Sequence, residues 1–62
     1  MELYEVIQNI TDENGKWLWG GGLDMLYHKK ENANKACENL NLLNTNTKKY
    51  YSVEIVYTKD KQ

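Results

Sequence analysis

Residues 3–19 read LYEVIQNITDENGKWLW, and the reading of this stretch decides the fold. In its first half Tyr4, Val6 and Ile10 share one parity while Leu3 and Ile7 share the other. That is the alternation of a β-strand with one clearly apolar face and a second, partly apolar one. Thr11-Asp12-Glu13-Asn14-Gly15 is turn chemistry, with Asn14-Gly15 placed to supply the positive φ of a tight hairpin. Lys16–Trp19 returns as the second strand. A two- or four-residue loop would set Trp17 and Trp19 on the face of Ile10, whereas a three-residue loop would set Leu18 there. The working expectation is that both Trp face the covered side.

Past the hairpin, Gly20-Gly21-Gly22 interrupts the alternation and reads as a flexible joint, with a bulge or bend as alternatives. Residues 20–28 are therefore open between an irregular arm and a resumed strand. From Lys30 to Asn41, Ala33, Ala36, Cys37 and Leu40 continue toward Leu43 as one stripe at helical period. The helix start is poorly capped, because Lys29 stands where Ser, Thr or Asp is favoured. Asn41 or Asn44 is a plausible left-handed terminator. Residues 50–59, YYSVEIVYTK, are rich in aromatic and β-branched side chains and form the third strand.

The order strand, strand, helix, strand predicts an α+β domain of ββαβ type. A right-handed crossover puts the last strand beside the first, giving a three-stranded antiparallel or mixed sheet in the order 2-1-3, with one helix packed on one face. The expected core is Tyr4, Val6, Ile10, Trp17, Leu40, Leu43, Tyr51, Val53, Ile55 and Tyr57. One short helix cannot cover both faces. The uncovered face then carries Leu3, Ile7, Leu18, Tyr50 and Val56, with Glu5, Asn9, Ser52 and Glu54 between them. A solvated sheet face is ordinarily more polar than this, and a contiguous apolar patch marks a contact surface. The competing expectation is that residues 23–27 fold back over it.

The chain has 62 residues and a net charge of −1, so it is one small domain with no global field to draw it to nucleic acid or an anionic membrane. One cysteine excludes a disulfide framework, and no apolar run is long enough for a signal peptide or membrane span. A reducing cytoplasm is the expected location. His28 lies near Asp24 and Glu31, but nothing completes a catalytic set, and Cys37 sits on an apolar stripe where a thiol behaves as a small hydrophobe. No P-loop spacing follows the glycines. No catalytic residue, metal or cofactor is therefore expected. Lys29, Lys30, Lys48, Lys49 and Lys59 are candidate anion or nucleic-acid contacts, with Tyr50 and Tyr51 for stacking. All the basic residues are lysine, proline is absent and asparagine is abundant, which fits a gene from a low-GC genome. On that ground the asparagines read as drift on solvated positions rather than as a bonding pattern.

YEVIQNITDENGKW (4–17), KKENANKACENLN (29–41) and YYSVEIV (50–56) together resemble the small ββαβ proteins of phages and prophages of low-GC Gram-positive bacteria. The resemblance spans most of the chain and departs from the pattern at Lys29 and in GGGLDMLYH (20–28). It defines no catalytic residue. What it implies is context: such proteins often bind and inhibit a host protein, defence effectors included. The expected function is a non-enzymatic interaction module that binds a host protein, or itself as a homodimer, in the bacterial cytoplasm. The alternative is a small nucleic-acid-binding accessory protein that uses the Lys/Tyr-rich last strand.

Overall fold

A computed structural model describes residues 1–57. The elements run β1 (Glu2–Thr11), β2 (Trp17–Tyr27), α1 (Lys30–Leu43) and β3 (Lys49–Tyr57). The sheet order is β2-β1-β3, every pairing is antiparallel, and α1 packs on one face. This is the α+β, ββαβ arrangement with strand order 2-1-3.

Asp12 organises the hairpin turn. Its N–H donates to the Lys16 carbonyl at 2.9 Å and its carbonyl accepts from Gly15 N–H at 3.1 Å. Its carboxylate Oδ1 accepts from the N–H groups of Asn14 and Lys16, each at 2.9 Å. The loop is thus three residues, Glu13-Asn14-Gly15. Of the expected pair only Gly15 takes a positive φ, at 84°, in the glycine position of a bulge-type hairpin loop.

A three-residue loop alone would bring Leu18 opposite Ile10. Instead Thr11 pairs with Trp17 and Ile10 with Trp19, so Leu18 is an extra residue that shifts the register. The two Trp are thereby separated onto opposite faces, which corrects the expectation that both face the helix. β2 then continues through the glycines, with Gly20, Gly21 and Gly22 paired to Asn9, Gln8 and Ile7. They are strand rather than a joint. A Cβ at Gly20 would lie 2.9 Å from the Gln8 carbonyl oxygen and 3.1 Å from Asn9 Oδ1, so the close approach of β2 to β1 requires glycine there. A second irregularity inserts Leu23 and Asp24 between Gly22 opposite Ile7 and Met25 opposite Val6, with Asp24 at φ 59°. Residues 23–27 resume the strand in the plane of the sheet and do not fold back over it.

The β1–β3 register is unbroken from Glu2 opposite Tyr57 to Ile10 opposite Lys49. Tyr4, Val6, Gln8 and Ile10 therefore share a face with Tyr51, Val53, Ile55 and Tyr57. On this central strand Val6 is completely buried, which requires the helix above it; Ala33 and Cys37 are the buried helix residues. Small side chains on α1 let the helix approach closely. The core is smaller than the sequence suggests. Leu43 is 80% and Tyr57 71% exposed, and Trp17 and Ile55 are also exposed, so these four leave the expected core. Leu43 falls in the last helical turn, next to the Asn44 cap.

The helix runs to Leu43, past the expected Asn41, with no side-chain cap at Lys29. Asn44 ends it in an extended conformation (φ −76°, ψ 126°), not a left-handed one. Residues 58 and 59, expected to finish the last strand, lie outside the described residues. No helix among the described residues is long and apolar enough to cross a membrane.

Candidate functional site

The face of the sheet away from α1 carries Leu3 and Val56 as one cross-strand pair, Glu5 and Glu54 as the next, then Ile7 and Ser52, then Asn9 and Tyr50. Leu3, Ile7 and Val56 are half-buried and Tyr50 is exposed. Strand alternation thus places Leu3, Ile7, Tyr50 and Val56 together on the uncovered side. Leu18 stands apart, in the register irregularity, where it borders a shallow hollow with Thr11, Asp12, Glu13, Asn14 and Lys48.

The most ordered part of this face is a polar cluster that sequence reasoning missed. Asn9 is buried on the central strand. Its Oδ1 accepts from Trp17 Nε1 at 3.0 Å, and its Nδ2 donates to Ser52 Oγ at 2.9 Å and to the Tyr50 carbonyl at 3.4 Å. One amide thus ties the three strands together and orients the Trp17 ring. That ring lies over Gly20, its Cζ2 3.4 Å from where a Cβ would stand, so the glycine provides the space for it. Trp17 remains 54% exposed, and its neighbour Leu18 is 53% exposed. The available signal was an Asn in a strand of apolar alternation, where a buried amide has to be hydrogen-bonded.

The expectation that the asparagines carry no bonding pattern fails for four of them, although Asn41 and Asn46 are exposed. Besides Asn9, Asn41 and Asn44 bond the backbone of β3, and Asn46 Oδ1 accepts from Lys48 N–H at 2.9 Å.

The candidate lysines are not gathered. Lys29 and Lys30 stand at the start of α1, whereas Lys48 and Lys49 stand at the start of β3, beyond the other end of the 14-residue helix. Lys48 Nζ is 3.9 Å from Glu13 Oε1, both side chains largely exposed, and Lys49 Nζ sits 5.5 Å from the Tyr51 ring centroid on the helix side. Lys59 lies outside the described residues.

His28 is exposed in the β2–α1 connection. Cys37 is buried beneath the helix, and its Sγ accepts from Asn41 Nδ2 at 3.7 Å. Burial pushes its thiol up, and the negative Glu38 adds to the shift. That is the opposite of the electropositive setting that activates a thiol. Among the described residues no group of three His, Cys, Asp or Glu is placed to hold a metal ion.

Compared with known proteins, the chain matches no family model, no curated protein and no solved structure.

Proposed function

We propose that this chain is a non-enzymatic protein-interaction module, phage-encoded, that binds a host protein through the open face of its sheet and inhibits or redirects it. The observation that carries the binding role is the uncovered face itself: Leu3, Ile7, Tyr50 and Val56 lie on one side of the sheet, beside a Trp17 ring fixed by Asn9. Large aromatics held in a defined orientation are the anchors that protein interfaces favour, because little side-chain freedom is lost on docking. The glutamates at Glu5 and Glu54 make this face unsuited to a polyanion and suited to a partner with matching donors. The phage context and the host target rest on the resemblance of residues 4–17, 29–41 and 50–56.

Affinity capture from lysate of a low-GC Gram-positive host tests the reading. Immobilised chain should retain one specific protein, with retention only mildly reduced by salt, and Ile7→Lys and Trp17→Ala should release it. Retention of the same protein by both variants would overturn the open face as the site. Retention of DNA or RNA that falls steeply with salt would favour the lysine-based alternative.

A further inference from the structure

The two outer edges of the sheet are unequally protected. β2 is interrupted twice in its register, at Leu18 and at Leu23-Asp24, and such irregularities make an edge a poor template for another strand. On β3 the outward-pointing backbone groups begin at Lys49, whose N–H donates to the Asn46 carbonyl at 3.2 Å and whose carbonyl accepts from Asn44 Nδ2 at 2.6 Å. At Tyr51 the N–H donates to Asn41 Oδ1 at 2.8 Å and the carbonyl accepts from Asn41 Nδ2 at 3.0 Å. Two asparagine amides thus stand in for a neighbouring strand. By alternation Val53, Ile55 and Tyr57 point their N–H and C=O groups the same way. Among the described residues nothing occupies those groups. This stretch has no bulge, no proline and no charged side chain on the helix-side face, where Ile55 is 45% exposed and Tyr57 more so.

We infer that the Val53–Tyr57 edge is a self-association site that pairs antiparallel with the same edge of a second copy, about a two-fold axis at Ile55. The register follows from what is blocked. Asn41 occupies the Tyr51 position, so pairing starts no earlier than Val53, and a two-fold centred on Val53 would need Tyr51 free. Centred on Ile55, each Val53 meets the other copy's Tyr57 and Ile55 meets its twin, and each of these pairs exchanges both backbone hydrogen bonds. Glu54 then faces Val56 of the other copy and not another carboxylate, so no like charges are opposed. The two three-stranded sheets become one. The exposed Ile55 and Tyr57 side chains of the two copies come together on the helix side, adding apolar burial to a domain in which Val6 is the only fully buried large side chain among the described residues. A two-fold closes the contact on itself, which favours a dimer over a fibre. This surface is distinct from the open face, so the inference stands independently of the proposed host partner.

Sedimentation equilibrium of the intact chain over micromolar to millimolar concentrations, with amide hydrogen exchange at both ends of that range, tests it. A monomer–dimer equilibrium is expected. Exchange at Val53, Ile55 and Tyr57 should slow with concentration, while exchange at Ser52, Glu54 and Val56, already bonded to β1, should not change. Ile55→Pro removes only an outward N–H, which an edge strand tolerates, and should weaken dimerisation about tenfold or more with the circular dichroism spectrum retained. Should that variant fail to fold, Ile55→Lys places a charge at the two-fold and should have the same effect on association. A chain that stays monomeric throughout, a dimer unaffected by the folded Ile55 variant, or a dimer abolished by Ile7→Lys with no concentration-dependent protection at Ile55 would each overturn the inference.

Discussion

On the helix side of the sheet the most buried side chain is Val6, an aliphatic group beneath the small residues Ala33 and Cys37; on the open side it is Asn9, an amide bonded to Trp17, Ser52 and the Tyr50 carbonyl. The same central strand therefore organises its two faces by different means. Apolar burial scales with area removed from water and is nearly direction-free. Hydrogen bonds add little net stability but fix geometry, and leaving a buried partner unmade is costly. The covered face thus supplies the larger share of stability. The open face supplies an oriented aromatic surface that stays accessible.

Substitutions can test that contrast, and the largest effects belong to the covered face. Ala33→Leu should be the most damaging, because a completely buried Cβ has no room for three more carbons. A loss of about 3 kcal/mol or outright failure to fold is expected by chemical denaturation. Val6→Ala should lose about 2 kcal/mol through the lost transfer energy and the cavity left behind. If Ala33→Leu proved neutral, the helix would not lie as close to Val6 as described.

On the open side, Gly20→Ala should lose about 1–2 kcal/mol, since its Cβ would press on the backbone of β1 at Gln8. Asn9→Ala should lose about 1–2 kcal/mol. Its sharper signature is spectroscopic: Trp17 fluorescence should become less anisotropic as the ring loses its acceptor. An unchanged anisotropy would show that packing over Gly20, and not the amide, orients the ring. Ile7→Lys should change stability by less than about 1 kcal/mol, as a long aliphatic stem can still lie on the sheet. Unfolding by that variant would mean that the open face is part of the core.

Cys37 gives the smallest effect and a pH-dependent one. Its folded thiol titrates above its unfolded value, so the folded state holds the proton more tightly. The associated stability is fully present below the ordinary thiol value of 9.0 and is lost as pH rises through the higher folded value. Denaturation midpoints should fall on the alkaline side of neutrality by more in the wild-type chain than in Cys37→Ala. Alkylation of Cys37 in the folded chain should be much slower than in denaturant.

The parts of this architecture that depend on neighbours in sequence were legible. Alternation in residues 3–10 and 50–57 placed Leu3, Ile7, Tyr50 and Val56 on one face and Val6 and Val53 on the other, and the helical period picked out Ala33 and Cys37. The errors lie where one residue's role depends on a distant partner. Trp17 leaves the core because the three-residue loop sets it opposite Thr11, and the extra residue at Leu18 returns only Trp19 to the face of Ile10; a one-residue slip reverses every face beyond it. The glycines looked like a joint because the need for glycine at position 20 comes from β1, not from β2. Asn41 and Asn9 looked incidental because their partners, Tyr51 and Ser52, lie 10 and 43 residues away.

The sequence by itself therefore determined the order of elements, the apolar parity of β1 and β3, and the small-residue stripe of the helix, because periodicity is a local property that backbone geometry enforces residue by residue. Only the tertiary structure decided which face Trp17 joins, which asparagines are structural and which edge of β3 stays open. Those outcomes depend on register and on hydrogen bonds between strands, and no stretch of chain contains both partners.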